Sequence, residues 1–148
     1  MLNNILIELF DRDLDKVKEE LNAYANEANM WKVEKGISNS AGNLALHLIG
    51  NLNHFIGATL GHTNFVRNRD SEFTLKNIAR AELIAEIEKT KGVIRHTFAR
   101  LGNEDFEKIY PLKVLNKEST TMFFMIHLAT HLNYHLGQIN YHRRLIGG

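Results

Sequence analysis

Near the C-terminus the run His127-Leu-Ala-Thr-His131-Leu-Asn-Tyr-His135 repeats histidine every four residues. On a helix turning about 100° per residue, positions four apart drift by only about 40°, so the three imidazoles project from one face, turn over turn. Neutral imidazole is the commonest side-chain ligand of zinc and also suits nickel, iron and copper. A His-x-x-x-His pair can therefore hold two corners of a metal site, and a third ligand must come from elsewhere in the chain.

The eight histidines gather in two regions, His47 to His62 and His127 to His142, with His96 alone between them. On a helix, Asn43, His47, Asn51 and His54 share one face, as do Phe124, His127, His131, His135, Gln138 and His142. Burying imidazoles without partners costs on the order of 1–3 kcal/mol each, so two polar strips in one small chain call for water, mutual hydrogen bonds or a metal. The combination of His47 with His131 and His135 favours a metal. His62, His96 and His142 read as ordinary core or surface residues.

The elements that must carry these strips follow from apolar spacing. Leu6, Phe10, Leu14, Val17, Leu21 and Tyr24 predict an amphipathic helix from about Asn3 to Asn26. Asn39 or Ser40 offers a cap for a second helix running to about Leu60. Leu83, Ile87, Thr90, Ile94, Phe98 and Leu101 predict a third, ended by Gly102. Ser119, Thr120 and Thr121 offer caps for a last helix from about Thr121 to Leu145. The connection from Gly61 to Phe73 has no regular pattern, and Ile109 to Leu115 reads as a short extended piece beside the only proline, Pro111. Four helices of about 20 residues with one apolar stripe each imply an all-α fold, an up-down four-helix bundle built as a single domain over residues 1–148.

Composition narrows the function. The 148 residues are 44% hydrophobic and carry a formal charge of only +1, with Lys and Arg scattered among acids, so no basic stripe exists for nucleic acid. No apolar stretch approaches the roughly 20 residues of a membrane span, and the N-terminal residues lack the pattern of a secretory leader, which makes a cytoplasmic protein the expectation. There is no cysteine, which excludes disulfides, thiolate ligands and a cysteine nucleophile from the chain itself.

The segment His131-Leu-Asn-Tyr-His135-Leu-Gly137-Gln138-Ile139 resembles the C-terminal signature of the DinB/YfiT-like metal-binding bundles. Leu46-His47-Leu48-Ile49-Gly50-Asn51-Leu52 occupies the place of their second-helix histidine. Arg67-Asn68-Arg69-Asp70-Ser71-Glu72-Phe73 further resembles an uncharacterised bacterial branch of that superfamily. The resemblance implies the four-helix fold and His47, His131 and His135 as ligands of a divalent transition metal: zinc or nickel, with iron a third choice. It implies His127, one turn earlier, as a residue that supports a ligand from behind or replaces one. His54, Asn51 and Gln138 stand in the same supporting position along the two strips. Relatives include metal-dependent enzymes acting on low-molecular-weight thiols, and by analogy a homodimer is expected.

Neither Ser40–Leu60 nor Ser119–Gly148 contains an Asp or Glu. Di-iron and facial-triad sites need carboxylates on such helices, so the expected centre is mononuclear and all-imidazole. Glu8, Asp11 and Glu72 remain as candidates for a carboxylate leaning in from elsewhere. Arg67 and Arg69 read either as anion-binding groups for a small-molecule substrate or as an ion-pair network with Asp70 and Glu72. The leading expectation is a metal-dependent transferase using a low-molecular-weight thiol. The alternatives are a metal-dependent hydrolase and a non-catalytic, stress-associated metal-binding protein.

Overall fold

In a computed structural model, described over residues 1–147, helices α1 (Leu2–Asn22), α2 (Ala41–Leu52), α3 (Arg69–Thr74), α4 (Arg80–Ala99), α5 (Asn103–Glu107) and α6 (Thr121–Ile146) follow one another. No strand occurs among the described residues, and no described helix is long and apolar enough to cross a membrane. Helix α1 packs against α4 and α6, while α2 packs against α3, α4 and α6. Helices α1 and α4 bury the stripes their spacing predicts: Leu6, Phe10, Leu14, Val17 and Leu21 from α1 pack with Leu83, Ile87, Ile94 and Phe98 from α4. Rings of Phe10 and Phe98 sit 5.7 Å apart at a tilt. Burying a side chain of this size contributes roughly 1.5–3 kcal/mol, which is why these stripes decide the packing.

Helix α1 ends four residues before Asn26, because Asn26 accepts a hydrogen bond from the Ala28 backbone and caps a separate 3-10 turn, Glu27–Trp31. Tyr24 lies between them, buried, with its hydroxyl 2.6 Å from His142 Nδ1 on α6. His142 Nε2 meets the Lys32 carbonyl at 2.8 Å, so both ring nitrogens are partnered. The Trp31 ring closes one end of the core against Gly42, where a Cβ would come within 2.7 Å of it.

Ser40 caps α2 through the Asn43 backbone N–H. The helix then continues as a π-helical turn, Asn53–Ala58, closed by i+5 bonds such as Thr59 N to His54 O at 3.1 Å. Such wide turns are uncommon and are frequently found at functional sites. Asn53 anchors this one by donating to the Ile49 carbonyl at 2.8 Å and to Thr90 Oγ1 on α4 at 2.9 Å.

Gly102 does not terminate α4. The helix stops at Ala99, and Gly102, with φ of −94°, instead caps α5 and donates its N–H to Asp105 Oδ2 at 2.9 Å. The stretch from Ile109 to Leu115 forms isolated bridges, Ile109 with Thr120 and Val114 with Lys117, in place of a strand. Its tip holds Leu115 and Asn116 at φ of 55° and 57°. Leucine in the left-handed region is unfavourable by roughly 1–2 kcal/mol, a cost that surrounding structure must offset. Tyr110, buried at the base of this loop, donates to the Phe55 carbonyl on the π turn at 2.5 Å. Thr120 caps α6, which runs unbroken to a left-handed Gly147.

Candidate metal centre

The site forms where α2 faces α6. His131 and His135, one turn apart on α6, hold their rings 4.5 Å apart and nearly perpendicular. His47 reaches across from α2, buried to 7% exposure, and places its Nε2 3.3 Å from His131 Nε2. His135 Nε2 stands 3.1 Å from the same atom. Two metal–nitrogen bonds of 2.0–2.1 Å meeting at a tetrahedral angle separate their nitrogens by about 3.3 Å, so the spacing fits a shared cation.

The far nitrogens fix the tautomers. Glu72 Oε1 lies 3.0 Å from His47 Nδ1, and a carboxylate only accepts, so His47 carries its proton there and turns a lone pair inward at Nε2. Gln138 Oε1, 2.7 Å from His135 Nδ1, does the same for His135. Two inward lone pairs then converge on His131 Nε2, which can carry only one proton. A cation at the centre satisfies all three nitrogens at once. His131 Nδ1 is buried with no hydrogen-bond partner.

Electrostatics agree. Burial pushes His131 down from the ordinary 6.5 to about 4, with the neighbouring histidines and Arg67 adding to the shift. Burial also lowers His47 against the opposing pull of Glu72, and lowers His135 against Gln138. The three imidazoles are thus neutral near pH 7, the form that binds metal.

Glu72 reaches His47 through a chain of local decisions. Asn43, one turn before His47, donates through Nδ2 to the carbonyls of Glu72 and Leu75, both at 2.9 Å, and so ties α3 to the start of α2. Arg67 grips the carboxylate with two prongs, Nε to Oε2 at 2.8 Å and Nη2 to Oε1 at 3.0 Å. Its guanidinium also lies 5.7 Å over the Phe55 ring. A carboxylate that accepts from the outer nitrogen of a ligating histidine orients the ring and raises its basicity.

His47, His131 and His135 are the only group of three or more His, Cys, Asp or Glu among the described residues arranged to hold a metal ion, with ligand atoms within 4.8 Å of one another. This cluster could hold a metal ion. The chain belongs to the family described as protein of unknown function DUF1572. Its family model matches residues 3–148, and no curated protein matches the chain.

In this DUF1572 chain the remaining candidates are spread around the cluster. Gln138 backs His135. His127 stacks one turn before His131, 6.5 Å between ring centroids, and joins Asn51 and His54 along a neighbouring cleft of about 600 Å³. Arg67 serves the ion pair with Glu72, whereas Arg69 faces the cleft and covers the Phe73 ring. Of the three carboxylates considered from sequence, Asp11 pairs with Arg95, Glu8 is exposed on α1, and Glu72 alone comes to the site. The sequence signal for Glu72 was its place in the Arg67-to-Phe73 segment, which shows charge but not direction.

Proposed function

We propose that this protein is a DinB-like four-helix-bundle metalloprotein that binds one divalent transition metal, zinc or nickel, through Nε2 of His47, His131 and His135. The observation that carries this reading is the convergence of three imidazole nitrogens whose outer nitrogens are already engaged or buried. Three protein ligands leave an open position, the arrangement of catalytic metal sites.

The reaction we infer is transfer to a low-molecular-weight thiol. A divalent ion held by neutral ligands keeps its full charge and lowers the pKa of a thiol or water brought to it. With no cysteine in the chain, the thiol must come from a second molecule. Its sulfur would attack an electrophilic carbon, the leaving group would depart with the bonding pair, and the thiol proton would pass to solvent. Hydrolysis is less well served, because Glu72 stands behind His47 clamped by Arg67 and no Asp or Glu lines the cleft. His47 and His131 border that cleft, so a substrate there would approach the open position from one side.

Metal analysis of purified protein, with alanine placed at each of the eight histidines in turn, tests the site. One equivalent of metal is expected, lost in the His47, His131 and His135 variants and kept in His127→Ala; retention in the three named variants overturns the assignment. The reaction is tested with metal-loaded protein, small thiols and an aryl halide, against esters and phosphoesters. Ester turnover that vanishes in His131→Ala, with no thiol conjugation, would replace transfer by hydrolysis.

A further inference from the structure

The cleft beside the histidine cluster carries more chemistry than metal binding needs. Its lining includes Arg67, Arg69 and Lys113 and no acid. Glu72 matches the charge of Arg67, but Arg69 and Lys113 form no ion pair among the described residues. They reach the cleft from different segments: Arg69 opens α3, and Lys113 sits on the loop between α5 and α6 that Tyr110 pins to the π turn. Two unpaired cations on opposite segments beside one cavity set up a positive field that a substrate anion would relieve.

A second observation comes from the wall on α2. Asn51, one turn beyond His47, is 6% exposed, lines the cleft, and has its Oδ1 buried with no donor. A buried carbonyl oxygen left unpaired costs about 1–3 kcal/mol, and such orphans call for a ligand or water. Between these polar points the wall is apolar, with Phe55, Phe124 and Leu115 in its lining. Leu115 holds its unfavourable left-handed backbone at this wall.

We propose that this cleft binds a small organic acid. Its carboxylate lies between Arg69 and Lys113, its apolar body lies on Phe55 and Phe124, and an O–H or N–H at its inner end donates to Asn51 Oδ1. The acid's role as the electrophile of the thiol transfer rests on the function proposed above. Its binding does not, because none of the groups that hold it is a metal ligand.

The probe is 4-hydroxyphenylacetate, titrated by calorimetry into metal-stripped protein so that no cation can attract the carboxylate. Its neutral amide and phenylacetate, which lacks the inner hydroxyl, are the comparisons. The acid is expected to bind at least about tenfold more tightly than the amide, and to lose that preference in the Arg69→Ala, Lys113→Ala double variant. Both positions are exposed, so the variant keeps its fold. The advantage of the hydroxyl over phenylacetate is expected to vanish in Asn51→Ala. Equal binding of acid and amide, or a preference that survives the double variant, overturns the proposal. A preference seen only after metal loading assigns the attraction to the metal and likewise overturns it, while leaving the metal site standing. Protein that takes up no metal yet keeps the preference would support the cleft and overturn the metal reading alone.

Discussion

Glu72 stands where a side chain at residue 50 would be. A Cβ on Gly50 would overlap Glu72 Oε2 and come within 2.6 Å of its Cδ, so the glycine opens the α2 surface for the carboxylate to reach His47. The neighbour is no flexible chain end free to swing aside, because Arg67 holds it from the other side. Gly50→Ala should therefore cost about 1–3 kcal/mol of stability by overpacking. Metal affinity should fall together with stability, by roughly 10–100-fold, because the displaced carboxylate no longer orients His47. Chelator competition alongside thermal melting checks both, and unchanged affinity would show that Glu72 does not act through His47.

Glu72→Gln separates charge from shape. The amide oxygen can still accept from His47 Nδ1, yet the Arg67 side chain, 12% exposed, loses its counter-charge. Breaking a buried pair by removing one partner costs about 3–5 kcal/mol, so a lowered melting temperature is expected in metal-free protein. A stability equal to wild type would mean that Arg67 turns to solvent at no cost.

Stability should also depend on pH in a defined window. The metal-free folded protein holds His131 at about 4, below the ordinary 6.5, and shifts His47 and His135 in the same direction. Between about 4 and 6.5 the unfolded chain binds more protons than the folded one, so stability rises with pH there. The contribution is complete above 6.5 and is lost as pH falls towards 4. Melting of metal-free protein across this range should show the decline, and His131→Gln should flatten it. A decline unchanged in His131→Gln would place the sensitive group elsewhere.

Tyr24→Phe tests a histidine that lies outside the cluster. His142 Nε2–H donates to the Lys32 carbonyl, so Nδ1 accepts from the Tyr24 hydroxyl. Removing that hydroxyl strands a buried nitrogen at a cost of about 1–3 kcal/mol. Denaturant melts should register the loss while metal stoichiometry stays at its wild-type value; a lower stoichiometry would make His142 part of the metal centre.

Helical periodicity is a local property, and what it governs could be read from the chain. Four-residue spacing places His131 and His135 on one face, and the stripes of α1 and α4 name the side chains that become buried. Capping oxygens at Ser40 and Thr120 mark the starts of α2 and α6, the two helices that carry the cluster. The contacts that turn a histidine cluster into a built site are long-range. Glu72 meets His47 across 25 residues, through a carboxylate whose direction is set by Asn43, Arg67 and the absent side chain of Gly50. Lys113 joins Arg69 at the cleft because Tyr110 fastens a loop to a π turn that no apolar pattern announces. Residue spacing determined which groups share a helix face. The packing of α2, α3 and the α5–α6 loop decided which groups behind and beside that face could reach it, because those directions depend on contacts between segments far apart in the chain.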